Sequence, residues 1–450
     1  MIDELQSGLI AHLIQFIKDS PTAYHGAQTI AKALNAQGAI QLDERQPWQL
    51  KSGQIYYVIR AEGSLIAFRC GLKRPAEAGF MVAGAHTDSP GLKARLEKSL
   101  TGKGMERAAV ELYGSPIIST WLDRPLALAG RVFIKNQDGK AESRLIHSTE
   151  PIGVVPNLAI HLNRDLNKGF EYNAQNHLPV LLSASGSAAP EAGKIALDSG
   201  AAEALAADLL HRVTAQLGVP ADAILGSDLY FVDAQGPVRF GPLGELINAY
   251  RLDNLLGCHA ILEAFLAAQS AGHTQVACFF NHEEIGSLSP EGADSAFLRD
   301  ILGRISALLD KNAEDLYRAL AASFSISVDV AQAYHGSYPE KFDESFAPVL
   351  NGGPALKVNA NLRYATDGEA EARFRLYCDA AGVPCQKFMS RADITPGTTI
   401  GPLSAAFTGI KTVDVGAPLL SMHSIRETAG TLDHEMMVQV LKKGFEQLNN

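Results

Sequence analysis

The sequence has no excess of basic charge, no long apolar run and no cysteines at metal-finger or redox spacing. Each absence removes a class of function. With 39 Lys and Arg against 49 Asp and Glu, the formal net charge is -10, which argues against nucleic acid or an anionic membrane as the main partner, because either would need a basic face. No uninterrupted apolar run approaches the roughly 18–20 residues of a membrane-spanning helix. The opening stretch "MIDELQSGLIAHLIQFIKDS" has Asp3 and Glu4 where a secretory signal would be basic, and His12 and Gln15 interrupt its apolar positions. It reads as an amphipathic helix of a cytoplasmic protein. The five cysteines, Cys70, Cys258, Cys278, Cys378 and Cys385, are odd in number, lack any CxxC spacing and lie mostly in apolar stretches. They read as buried thiols in a reducing compartment.

A chain of 450 residues is long enough for two domains, since single cores stop growing at roughly 250–300 residues. Several segments share one pattern, in which a short apolar, β-branched run ends in a Gly or polar turn before a helical pattern. "GFMVAGAHTDSPG" from Gly79 and "QVACFFNHEEIGS" from Gln275 follow it, while "FSISVDVAQAYH" runs through Asp329 and "KTVDVGAP" starts at Lys411. With helices such as "NLLGCHAILEAFLAAQ" and "DHEMMVQVLKKGFEQL" between them, these strands predict an α/β fold, a mixed sheet covered by helices on both faces.

Between about Leu96 and Arg239 the pattern changes to short alternating strands. "RVFIKNQDGK" places Asp138-Gly139 in a hairpin turn, and "SDLYFVDAQGPVRF" has the same look of a hairpin. The Ala, Gly and Ser-rich "SASGSAAPEAGKIALDSGAAEALAADLL" reads as a loose connection entering a helix. The expected organisation is a β-rich domain, residues 96–239, inserted into an α/β domain made of residues 1–95 and 240–450.

Ligands gather at the carboxyl ends of strands in such sheets, and there the unusual polar residues fall. His86 and Asp88 lie in "GAHTDSPG", Glu283 and Glu284 in "NHEEIGS", Asp329 in "SVDVAQAYH" and His423 in "SMHSIRE", with Asp253 at a helix start in "RLDNLLG". Imidazole plus carboxylate suits zinc, or manganese or cobalt in a more oxygen-rich site. Two histidines and three carboxylates hold two divalent ions if one carboxylate bridges them. A bridge lets two dications stay about 3.5–4 Å apart as a clamp on an attacking water.

Asp253 is the expected bridge, with His86 and Asp329 completing one site and Glu284 and His423 the other. Neighbouring side chains in an irregular segment point in different directions, so Glu284 can ligate while Glu283 acts as general base and acid. Asp88 is placed to accept the His86 imidazole N–H and fix its tautomer. Taken singly, each of these residues has a bland reading as a turn, cap or core residue. His161, in "VPNLAIHLNRD", and Lys357, in an alternating segment, read from pattern alone as a structural and a solvated residue.

"GAHTDSPGLK", "RLDNLLG", "NHEEIGS", "SVDVAQAYH", "LKVNANLRYATD", "GTTIGP" and "MHSIRE" resemble, in order, the signatures of the aspartyl aminopeptidase family of two-zinc cytosolic metallo-aminopeptidases. The resemblance implies the same five ligands, a bridging role at Asp253, and catalytic roles at Glu283 and Asp88. It further implies a zinc-peptidase-like catalytic domain, a β-rich dimerisation domain, and assembly of dimers into a tetrahedral dodecamer. Lys357 would pair with an acidic substrate side chain, and His161 would reach a neighbouring subunit's active site. The chain departs from the animal pattern in having no Cys near Pro396 and in carrying Asn157 where those members have a histidine. Cleavage after acidic N-terminal residues is therefore the expectation, with broad aminopeptidase specificity, or a two-metal deacylase or carboxypeptidase, as alternatives. A structural protein keeping a dead peptidase fold is the reading outside enzymes, and the intact set of ligands and base speaks against it.

Overall fold

The computed structural model describes residues 2–148, 150–184 and 208–448. Most of the Ala, Gly and Ser-rich connection lies outside the described residues. The chain forms two compact units, one made of Met1–Ser89, Pro237–Met422 and Arg426–Asn450, the other of Pro90–Gly236 with His423–Ile425.

In the first unit a nine-stranded mixed sheet runs, edge to edge, Ile40–Gln41, Ile55–Arg60, Ser64–Arg69, Thr274–Phe280, Phe80–His86, Phe324–Val328, Lys411–Gly416, Ala355–Lys357 and Gln386–Phe388. Its central strands are buried on both faces, which is why they read as continuous apolar runs. Alternate residues along one strand go to different cores, because successive side chains point to opposite faces. Met81, Ala83 and Ala85 join one cluster, with Leu255, Ile261 and Phe265 of the helix Leu252–Ala267 and Val440, Leu441 and Phe445 of the helix Thr431–Glu446. Phe80 and Val82 join the other, with Phe297, Ile301 and Ile305 of the helix Phe297–Leu309 and Ile400 of the helix Ile400–Thr408. The fold is therefore a mixed α/β sheet with helices on both faces. A separate five-stranded sheet, in the order Val238–Phe240, Leu246–Ala249, Glu427–Gly430, Pro418–Leu420 and Ala331–Gln332, completes this unit.

The second unit holds a six-stranded antiparallel sheet ordered Ala141–His147, Leu126–Lys135, Ile224–Asp233, Gly91–Gly102, Met105–Tyr113 and Val180–Ala184. The hairpin expected at Asp138-Gly139 is present. Lys135 faces Ala141 across it, and Gly139 takes the left-handed conformation at φ 75° that a Cβ would disfavour. The hairpin expected in "SDLYFVDAQGPVRF" does not form. Ile224–Asp233 pairs within this sheet, whereas Val238–Phe240 pairs with Leu246–Ala249 in the first unit. The intervening Gly236-Pro237 is where the chain passes from one unit to the other, and Pro237 brings no N–H to a ladder.

All five cysteines are free thiols, four of them buried and Cys385 half-buried. No helix among the described residues is long and apolar enough to cross a membrane.

Candidate metal centre

Three adjacent parallel strands converge on the centre. Phe80–His86 lies between Thr274–Phe280 and Phe324–Val328, with Phe280 in register with His86 and Ser327 with Gly84. Their carboxyl ends therefore deliver His86, the Glu283-Glu284 pair and Asp329 to one edge of the sheet.

His86 is the hub. Its Nε2 lies 3.2 Å from Asp253 Oδ1 and 3.5 Å from Asp329 Oδ1. On the other side of the ring, Nδ1–H donates to the Asp88 carbonyl at 3.1 Å, with the Asp88 carboxylate at 3.5 Å. That bond occupies Nδ1 and leaves Nε2 as the ring nitrogen that faces the two aspartates. The donor atoms of His86, Asp253 and Asp329 lie within 4.8 Å of one another and all three residues are buried; those of His86, Glu283 and Glu284 lie equally close, with both glutamates half-buried.

Asp253 reaches this point through an irregular backbone. Arg251 takes a left-handed φ of 65°, Asp253 and Asn254 depart from helical angles, and the peptide between them is cis. The Asp253 N–H donates to Glu427 Oε2 at 2.9 Å, its carbonyl accepts from Ser89 Oγ at 2.5 Å, and Asn254 Nδ2 donates to the Val328 carbonyl at 2.8 Å. The buried Arg251 guanidinium donates to the Thr87 carbonyl. Pattern reading missed Arg251 and Glu427, although they stand at the first and last positions of "RLDNLLG" and "MHSIRE".

The adjacent glutamates sit in a one-turn 3₁₀ segment, Glu283–Ile285, entered through His282 in a left-handed conformation. Asp88 Oδ1 and Oδ2 accept the backbone N–H groups of Glu283 and Glu284, each at 3.1 Å. The Asp88 carboxylate thus fixes the segment that carries both glutamates.

Lys357 ends the short strand Ala355–Lys357 and is only 4% exposed. Its ammonium donates to Asp329 Oδ2 at 3.0 Å and to the Val330 carbonyl at 3.0 Å, lies 3.4 Å from the Asp329 carbonyl, and sits 4.9 Å from the centre of the Tyr364 ring. The solvated residue expected from pattern alone is thus a buried partner of Asp329. Nearby, Thr399 of "GTTIGP" donates to Asp414 Oδ1 at 2.7 Å, and a Cβ on Gly401 would overlap the same carboxylate, so that motif is held to the strand Lys411–Gly416.

His423 and His161 belong to the second unit. His423 Nδ1–H donates to the Ser115 carbonyl at 3.0 Å, which selects the tautomer with its lone pair on Nε2. His161 is exposed in a turn.

The electrostatics of the first unit suit a bound cation. Burial first, then Asp329, Asp88 and Asp253, push Glu283 up to about 8, although the His86 charge opposes them. Glu284 rises well above the carboxylate range through burial and the neighbouring Asp253. Burial opposes charge on the His86 ring, yet Asp253, Asp329 and Asp88 hold its pKa well above the ordinary histidine value. Burial also works against Asp329, and the Lys357 ammonium and His86 together hold it below the usual range. In the ion-free chain the cluster takes up protons to offset its own negative charge, which is the role a divalent ion fills. Imidazole and carboxylate are the donors zinc takes.

A protein-family model described as "Aminopeptidase I zinc metalloprotease (M18)" matches residues 16–445. The Azotobacter vinelandii "Probable M18 family aminopeptidase 2" is 43% identical over 441 residues, covering 98% of each chain. A chain in the cryo-EM structure of the Ape4 and Nbr1 complex superposes with a TM-score of 0.91 at 33% identity, over 98% of this chain and 86% of that one. The S. cerevisiae mApe1 dodecamer structure gives a TM-score of 0.84 at 28% identity, over 99% and 98% of the two chains.

Proposed function

Because the chain belongs to the aminopeptidase I zinc metalloprotease (M18) family and is thus a metal-dependent aminopeptidase, we propose that it works with two divalent ions and prefers peptides with acidic N-termini. In this reading His86 and Asp329 would hold one ion and Glu284 and His423 the other, with Asp253 as the carboxylate they would share. Zinc is the ion the family description indicates, and the donor set also accepts cobalt or manganese. When bound, such ions supply Lewis acidity and make water acidic enough to be deprotonated near neutral pH. Glu283 takes the water's proton and returns it to the amine that leaves as the C–N bond breaks. Asp88 holds Glu283 and Glu284 through their N–H groups. The observation that carries the reading is the buried convergence of His86, Asp253 and Asp329 donor atoms within 4.8 Å.

The acidic preference rests on the resemblance of the seven motifs to aspartyl aminopeptidases, with Lys357 as the cation for the substrate side chain. A second reading, broad specificity, is favoured by one observation: the Lys357 ammonium already donates to Asp329 Oδ2 and the Val330 carbonyl. We place the protein in the cytoplasm, a reading the free thiols support. We assign catalysis to residues 1–95 with 240–450 and dimerisation to the inserted residues 96–239. Assembly into a tetrahedral dodecamer, with His161 approaching a neighbouring active site, is supported by the motif resemblance and by the dodecamer of the related yeast mApe1.

The test is a panel of Asp-, Glu-, Leu- and Lys-initiated peptides, each with a free and an acetylated N-terminus, before and after chelation and zinc return. Zinc-dependent release from free Asp and Glu termini is the expected result. Equal or faster release of Leu or Lys would replace the acidic preference with the broad reading, and cleavage of the acetylated forms would move the protein to the deacylase class.

A further inference from the structure

Asp329 divides its two oxygens between different neighbours. Oδ1 faces His86 Nε2 at 3.5 Å, while Oδ2 accepts from Lys357 Nζ at 3.0 Å. An ammonium has three N–H groups, and those of Lys357 face Asp329 Oδ2, the Val330 carbonyl and the Asp329 carbonyl, with the Tyr364 ring beside them. Lys357 and Asp329 are only 4% and 8% exposed, so water does not loosen the pair. Backbone geometry holds both ends in place. Lys357 ends a strand whose Leu356 is in register with Val415, and the Asp329 N–H donates to the Val415 carbonyl at 2.9 Å.

The geometry points to Lys357 as a positioning residue for the metal centre, one that pins Asp329 by Oδ2 so that Oδ1 is presented as a ligand whatever the substrate. The inference rests on the reading of Asp329 as a ligand. It is additional to the substrate-pairing role proposed above, because a lysine engaged with the carboxylate and two carbonyls orients Asp329 whichever substrate is bound. Groups that orient metal ligands from behind typically change metal affinity by roughly 10–100-fold when removed, and that is the effect expected here.

The experiment uses the full-length zinc-loaded protein, with Lys357→Met and Lys357→Arg. Zinc affinity is measured by competition with a chromophoric chelator, and kcat and KM on an Asp- and a Leu-initiated peptide. In Lys357→Met the affinity for one zinc equivalent should fall by roughly 10–100-fold. Turnover of the Leu peptide, which has no acidic side chain, should fall along with that of the Asp peptide and recover with added zinc, and Lys357→Arg should lie between that variant and the wild type. Unchanged zinc affinity, with KM rising on the Asp peptide alone, would overturn the inference and return Lys357 to substrate selection. Should Lys357→Met fail to fold, Lys357→Gln, which keeps an N–H donor without the charge, carries the same measurements. Asp329→Ala tests the premise separately. A wild-type zinc content in that variant would remove Asp329 from the ligand set and the inference with it.

Discussion

Asp88 and Glu283, 195 residues apart in the chain, are joined by a hydrogen bond of 3.1 Å from the Glu283 N–H to Asp88 Oδ1. The other oxygen of Asp88 accepts the N–H of Glu284 at the same distance. One carboxylate thereby sets where the proposed base and a proposed ligand stand. In Asp88→Asn an amide N–H would face one of those backbone N–H groups and the charge would be gone. A hydrogen bond to a charged group contributes about 1.5–3 kcal/mol, so kcat should fall by roughly 10–100-fold. Steady-state kinetics at saturating zinc, with zinc content measured alongside, checks this.

Glu283→Gln keeps the shape of the side chain and removes its capacity to take a proton. Turnover should drop by about 10²–10⁴-fold while the zinc content stays at the wild-type level. A variant that keeps its rate would show that another group moves the proton.

His259 Nδ1 and His434 Nε2 lie 2.9 Å apart in a buried position. Burial pushes His434 down to about 3, and burial with the neighbouring His434 and His12 holds His259 well below the ordinary value. Both stay neutral in the folded chain, whereas the unfolded chain protonates them near their ordinary value of about 6.5. The unfolded state then binds more protons below that pH, so stability falls as pH drops from about 6.5, by up to ~1.4 kcal/mol per pH unit for each histidine. Denaturant unfolding at pH 5.0, 5.5, 6.0 and 6.5 should show this slope, reduced by about one histidine's share in His434→Gln. An identical slope in the variant would place the acid sensitivity elsewhere.

A Cβ on Gly416 would overlap the Asp329 carbonyl. Gly416→Ala must displace either its own strand or the strand end that carries Asp329. Overpacking of this kind costs about 1–3 kcal/mol, and here it should lower both Tm and zinc retention. Thermal unfolding with and without chelator separates the two effects: a fall in Tm with undisturbed zinc binding would mean that the strand end does not move.

Much of the centre was legible because chemistry and local structure coincide. The apolar runs into His86 and the Glu283-Glu284 pair are central strands buried on both faces, so a polar residue at their ends stands out. The loop before Val238–Phe240 was misread because an alternating run with a Gly nearby looks the same whether its partner is the next strand or a distant one. Pairing partners are chosen by packing, which a short window does not contain.

The sequence by itself determined the alternation of strands and helices and which histidine and carboxylates stand at strand ends, because side-chain period and residue chemistry are local properties. Only the tertiary structure decided that Lys357 is buried against Asp329, that Asp88 holds the backbone of two glutamates, and that Glu427 accepts the N–H of Asp253. Those contacts join residues 28 to 196 positions apart. The environment of a charged group is set by what the fold brings opposite it, so the same lysine reads as solvated in the chain and proves buried in the molecule.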